Sequence, residues 1–156
     1  TLGDRHPDTL ASINNLGLLL KDQGDLEGAA ALLREALQAS RETLGDRHPE
    51  TLTSMNNLAI ALDAAGQHAE AIEMHRTVLP VRRRELGEDH PDTLRSMSGL
   101  ASALNAAGQH AEAIEMHRTV LPVMRRVLGE EHPDTLASMN NLATALNAAG
   151  QHAGGD

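Results

Sequence analysis

The chain repeats itself every 42 residues. Leu-Gly stands at Leu2-Gly3, Leu44-Gly45, Leu86-Gly87 and Leu128-Gly129, and His-Pro at His6-Pro7, His48-Pro49, His90-Pro91 and His132-Pro133. The stretch from Ala64 to Val81 is identical to that from Ala106 to Val123. A self-similar period of this size confines the fold to stacked supersecondary units, each burying its apolar face against its neighbours. The repeats run at about 2–43, 44–85 and 86–127, with a partial fourth at 128–156, and form one array over the 156 residues. The opening Thr1 to Pro7 recurs unchanged at Thr43 to Pro49. The chain therefore starts inside a repeat and reads as a piece of a longer array.

Within a repeat the punctuation is helical. Pro7 suits the first turn of a helix, where a missing N–H costs nothing. Asp8 adds negative charge at the positive end of the helix dipole. Pro49-Glu50, Pro91-Asp92 and Pro133-Asp134 repeat that logic. Leu10, Ile13, Leu16, Gly17 and Leu20 follow at helical spacing. This first helix ends near Gly24. A second runs from about Leu26, with Ala29, Leu33, Ala36 and Leu37 on its buried face, and Gly45 as a left-handed cap at its end. Arg82, Arg83, Arg84, Arg125 and Arg126 sit near second-helix C-termini, where cations are favoured. Pro80 and Pro122 fall well inside second helices, at the place of Gln38. Proline there removes a backbone hydrogen bond and clashes with the preceding turn, at about 3 kcal/mol or more. A kink or break is expected near each, and a straighter helix through Gln38. The fourth repeat ends in Gly154-Gly155-Asp156, which cannot support a second helix. Seven helices follow, three pairs and one unpaired first helix.

Phe, Tyr, Trp and Cys are all absent, and Ala, Leu and Met carry most of an apolar fraction of 40%. Such a core is assembled from many small contacts, which suits a thin helical stack. The net charge of −9 argues against nucleic acid and anionic membrane as partners. No aromatic residue is present on which a base could stack, and no stretch approaches the ~20 apolar residues of a membrane span. A cytoplasmic setting is the default for such a chain.

The second repeat reads Leu-Gly-Asp-Arg-His-Pro-Glu-Thr-Leu-Thr-Ser-Met-Asn-Asn-Leu-Ala from Leu44 to Ala59. It resembles the 42-residue tetratricopeptide repeat of kinesin light chains and nephrocystin-3-like proteins. Leu58-Ala59, Leu62, Gly66, Ala71 and Val78 map onto the general tetratricopeptide pattern. The resemblance implies an all-α fold, a right-handed solenoid of antiparallel helix pairs with about seven helices. It also implies a non-catalytic scaffold that binds a protein segment or extended peptide in its concave groove, as part of a larger signalling or adaptor protein. The chain departs from the family at Leu20, Leu62, Leu104 and Leu146, where Tyr is usual, and at Leu33, His75 and His117, where a large aromatic is usual. Looser or rearranged packing is expected there. The alternative reading is a structural spacer or self-association module without a peptide ligand.

Each candidate site has a bland counterpart. His6, His48, His90 and His132 are too far apart in stacked repeats, at roughly 8–10 Å per packed helix, to share a zinc ion with ligands about 2 Å away. They read as helix-start residues. His68 and His75, like His110 and His117, stand about 10.5 Å apart by helical rise and read as packing residues. No metal or cofactor is called for. Ser, His and Asp recur with the repeat, as structural residues do, whereas a catalytic site needs one asymmetric constellation.

The best candidates are the asparagine pairs Asn14-Asn15, Asn56-Asn57 and Asn140-Asn141 on the first helices, with Arg95 beside them. Asparagine is a poor helix former, and an amide ladder can both donate to and accept from a peptide backbone. The family resemblance implies that role. The competing role is hydrogen bonding between repeats. Ser98-Gly99 interrupts the ladder. A clamp for chaperone C-terminal carboxylates fails, because reading Asn14, Leu18, Asn57, Arg95 and Gly99 against it leaves only Asn57 and Arg95 in place. At the C-terminal end, Met139, Leu142 and Leu146 present an apolar face without a second helix, so a tendency to self-associate through that end is expected.

Overall fold

The computed structural model describes the backbone over residues 7–154 and the side chains over 12–150. The expectations for Leu2, Gly3, His6 and Gly155, and those for the side chains of Asp8 and Leu10, lie outside the described residues. Among the described residues there are seven α-helices and no strand: α1 (Pro7–Asp22), α2 (Leu26–Leu44), α3 (Pro49–Ala64), α4 (His68–Leu86), α5 (Pro91–Ala106), α6 (His110–Val127) and α7 (Pro133–Gly154). They fall into two compact units, Thr1–Met74 and His75–Asp156. In the first, α1 packs on α2 and α2 on α3, and α1 also reaches α3 directly. In the second, α5, α6 and α7 repeat that arrangement.

The His-Pro dipeptides start the first helices. His48 caps α3 with an extended backbone, and its Nδ1 accepts from the Glu50 N–H at 3.1 Å. His90 does the same for Asp92 at 3.1 Å, and His132 for Asp134 at 3.0 Å. The proline that follows fills the first helical position, whose N–H would have no partner. The histidine ring thus takes the part usually played by a serine or aspartate cap, and its Nδ1 is occupied. Asp25 caps α2 in the ordinary way, accepting from the Gly28 N–H at 3.0 Å.

Turns close on glycine. Gly24, Gly45, Gly66, Gly87, Gly108 and Gly129 all have positive φ, so both connections of each repeat use the same device. Gly45 at φ 92 and ψ 166 lies outside the left-handed helical region expected for it, in a region open almost only to glycine. Its N–H still closes α2 on the Ser40 and Arg41 carbonyls. Gly150 departs from the pattern: α7 runs through it to Gly154 and reaches 22 residues, against 16 for α1, α3 and α5. The residues after Gly150 carry no apolar second-helix face to pack back, and a helical glycine costs only about 1 kcal/mol against alanine.

The prolines do not break their helices. α4 and α6 continue through Pro80 and Pro122. Both prolines, like Gln38, sit on exposed faces, where water can take up the carbonyl left without a partner.

Leucine fills the core. Leu33, Leu58 and Leu62 in the first unit and Leu94 and Leu104 in the second are essentially fully buried, each stabilising by roughly 1.5–3 kcal/mol. Leu62 and Leu104 occupy places where the family usually has tyrosine. Ion pairs run along the outside at repeat spacing. Arg41–Asp46, Arg83–Glu88 and Arg125–Glu130 tie helix ends to the following connection, at 3.5, 3.2 and 2.9 Å. Arg34–Glu70 and Arg76–Glu112 link successive second helices, at 2.9 and 3.1 Å. On α7, Leu136, Met139 and Leu146 are 49%, 37% and 41% exposed, so an apolar face is open there, while Leu142 is half-buried.

Candidate functional site

Neighbouring residues on a helix point about 100° apart, so the two asparagines of a pair have different fates. Asn14 is only 4% exposed. Its Nδ2 donates to Ser54 Oγ at 2.9 Å, joining α1 to α3. That amide is consumed between repeats. Asn15, next to it, is exposed. Asn56 and Asn57 are half-buried, and the Asn56 side-chain oxygen is enclosed without a hydrogen-bond partner. Asn140 is exposed and Asn141 half-buried. Asn141 Nδ2 donates to Ser102 Oγ at 3.0 Å, joining α7 to α5. Arg95 is exposed, but its guanidinium is engaged by Asp134 at 2.8 Å and Asp92 at 3.0 Å. The hydrogen bond to Asp134 is the main reason its pKa is raised. Within the first unit the structure thus leaves Asn15 and Asn57 with accessible amides, and within the second Asn140, while half-buried Asn141 keeps only its side-chain oxygen.

The interruption at Ser98-Gly99 has a packing cause. A Cβ on Gly99 would stand 2.6 Å from His75 Cε1. His75 is buried, and its ring fills the space that an asparagine stem would need.

A small polar cavity in the second unit falls outside the sequence expectations. It has a volume of about 70 Å³ and is lined by Ser102, Asn105, His117, Asn141 and Thr144. His117 is fully buried. Its Nδ1 lies 3.4 Å from Ser138 Oγ, and its Nε2 has no partner. Burial lowers the pKa of the ring, disfavouring its charged form. Asn105 Oδ1 pairs with His110 Nδ1, and Thr144 Oγ1 donates to the Asn140 carbonyl at 3.0 Å. The signal was present in the repeat itself: Ser102 and Thr144 stand where Leu18 and Ile60 stand, and His117 where Leu33 stands. Polar residues at apolar repeat positions mark this place.

Arg82 is a second buried polar residue on a packed face. Its Nη1 donates to Ser96 Oγ at 2.9 Å and to the Asp92 carbonyl at 3.2 Å. Desolvation lowers its pKa, partly offset by Asp92. Among the described residues no three His, Asp or Glu side chains meet as a metal site, and no helix is long and apolar enough to cross a membrane.

The family model described as tetratricopeptide repeat matches residues 8–84, 64–125 and 97–153. The chain is 37% identical to a Podosopora anserina kinesin light chain-like protein with nearly identical tetratricopeptide-like repeats. In the crystal structure of a single-substitution variant of that protein, the match covers 97% of this chain and 71% of that one, with a TM-score of 0.81. A second crystal structure of that protein matches at 37% identity over 97% and 72% of the two chains, with a TM-score of 0.78. BtubC (BKLC) from P. vanneervenii is 22% identical over 91% of this chain and 57% of its own, with a TM-score of 0.79, and shares the fold. No curated protein gives a significant match. The chain belongs to the tetratricopeptide repeat family, and its repeats are of the kinesin light chain-like kind.

Proposed function

We propose that the chain is a non-catalytic scaffold that binds an extended segment of another protein across its first helices. The observation that carries this reading is the recurrence of asparagine at one repeat position with side-chain capacity left over: the amides of Asn15 and Asn57 in the first unit and the oxygen of Asn141 in the second, with exposed Asn140 beside it. Such amides can pair with a peptide backbone without reading its side chains. Arg95 is committed to two carboxylates and offers little to an acidic ligand. Without aromatic anchors, affinity is on the order of micromolar. Asn14 is left out of the binding set and serves the stack.

A displayed library of random extended peptides, followed by calorimetry on the selected sequences, tests this. Replacing Asn15 and Asn57 together by Ala should weaken a selected peptide roughly tenfold, at about 0.5–1.5 kcal/mol per hydrogen bond. Asn14→Ala should lower thermal stability and leave affinity unchanged. A library that yields no saturable binder supports the spacer reading instead.

A further inference from the structure

The cavity beside His117 has a chemistry of its own. Its five lining residues carry no formal charge once the imidazole is neutral, and each has hydrogen-bonding capacity. Ser138 Oγ has His117 Nδ1 as its partner. Nε2, the other ring nitrogen, has no partner; it carries the ring proton where Ser138 donates to Nδ1 and accepts where Ser138 accepts from it. Ser102 Oγ accepts from Asn141, so its own O–H is free to donate. Asn105 uses its oxygen on His110 and retains an NH₂. Thr144 uses its proton on the Asn140 carbonyl and retains lone pairs. Asn141 uses its NH₂ on Ser102 and retains its oxygen.

Donors and acceptors therefore face one small space together. A carboxylate would find acceptors beside it with no cation to offset them, and an ammonium would find donors. An aliphatic group would leave the buried Nε2 unpaired, at about 1–3 kcal/mol. A group with one acceptor and one N–H₂ donor satisfies both sides. The cavity holds about two waters at ~30 Å³ each, which is the scale of a carboxamide head. It opens at half-buried Asn141 and exposed Thr144, next to the amides assigned above to the peptide.

We propose that this cavity is a specificity pocket for a neutral carboxamide, the side chain of a glutamine or asparagine in the bound segment. The assignment rests on the peptide-scaffold reading for its biological ligand, but the pocket itself can be tested without a peptide. The equivalent place in the first repeat carries the leucines Leu18 and Leu33, so only the C-terminal unit would read a side chain this way.

The probe is acetamide, titrated against the full chain by NMR, with sodium acetate and isopropanol as comparisons. Saturable shifts at the His117 ring and the Asn141 side-chain NH₂ with acetamide, and none with acetate, are expected. Ser102→Ile should abolish them; it puts into the cavity the residue that Ile60 supplies at that repeat position, so the fold should survive. Library peptides should be enriched in Gln or Asn at one site, and a Gln-to-Glu or Gln-to-Leu change there should weaken binding about tenfold. Equal response to acetate, or no saturable response to any probe, overturns the pocket and leaves water as its content. Peptides that bind with no amide preference, and equally well to the Ser102→Ile chain, overturn the pocket while the scaffold reading stands. Acetamide binding with no peptide binder at all sustains the pocket and removes the scaffold reading.

Discussion

The two units solve the same packing problem with different residues. In the first, Ser54 on α3 is buried, and Asn14 on α1 supplies its hydrogen bond. Leu33 on α2 then has only apolar contacts to make and is fully buried. In the second, Ser138 on α7 occupies the position of Ser54. The position of Asn14 is now Ser98, which turns to Met124 Sδ at 3.8 Å. His117 stands in place of Leu33 and becomes the partner of Ser138. In this last complete repeat the first helix lacks the amide and the second helix provides a ring nitrogen, whereas the second repeat carries both Asn56 and His75. A buried hydroxyl without a partner would cost about 1–3 kcal/mol, so the ring nitrogen makes the loss of the amide at Ser98 tolerable. The consequence is functional. The apolar solution closes the seam, whereas the polar one leaves His117 Nε2 without a partner beside a cavity of about 70 Å³.

The largest effect should come from forcing the second solution onto the first unit. Leu33→His would place a ring where Ser54 already has its partner. Leu33 Cγ also lies 2.8 Å from where a Cβ on Gly17 would stand, so the side chain packs flat on that backbone. A loss of about 2–4 kcal/mol is expected in urea denaturation. A neutral result would mean that the seam adapts freely and that the two solutions are interchangeable.

A pH series sharpens the contrast next. The pKa of His117 is lowered by burial, so the unfolded chain binds the proton more readily than the folded one. Its contribution is fully present above the ordinary histidine pKa of about 6.5 and is lost as pH falls below it. Wild type should lose stability more steeply than His117→Leu between about pH 6.5 and 5. Parallel curves would mean that the ring is not held neutral.

The smallest effects should be found on the outside, where the units agree. Arg34–Glu70 and Arg76–Glu112 are exposed pairs at the same repeat positions. Glu70→Gln and Glu112→Gln should each cost no more than about 0.5 kcal/mol, and the cost should shrink in salt. A larger loss at one site alone would show that the units differ there too.

The sequence made local events legible and left pairings across repeats hidden. Helix starts at His-Pro and turns at glycine depend on adjacent residues, and both stand where the 42-residue period placed them. Gly45 lies in a region more extreme than the cap expected of it, because its ψ depends on how the next helix leaves. Pro80 and Pro122 were expected to kink or break their helices; neither breaks its helix, because each faces solvent. Asn14 and Asn15 are identical letters, and only the packing of α1 on α3 separates the buried one from the exposed one. His117 was legible as a packing residue from its apolar counterpart Leu33. Its cavity was not, because that depends on Ser102, Asn105, Asn141 and Thr144 converging from two other helices.

The exchange of hydrogen-bond partner for the buried serine is tested most directly by a double-mutant cycle at Ser98 and His117. Stability would be measured for wild type, Ser98→Asn, His117→Leu and the pair together, which rebuilds in the second unit the arrangement of Asn14 and Leu33. His117→Leu alone should cost about 1 kcal/mol by stranding Ser138. Adding Ser98→Asn should restore most of that, with a favourable coupling of about 0.5–1.5 kcal/mol. Strict additivity, with the double variant no more stable than the sum of its parts, would contradict the account.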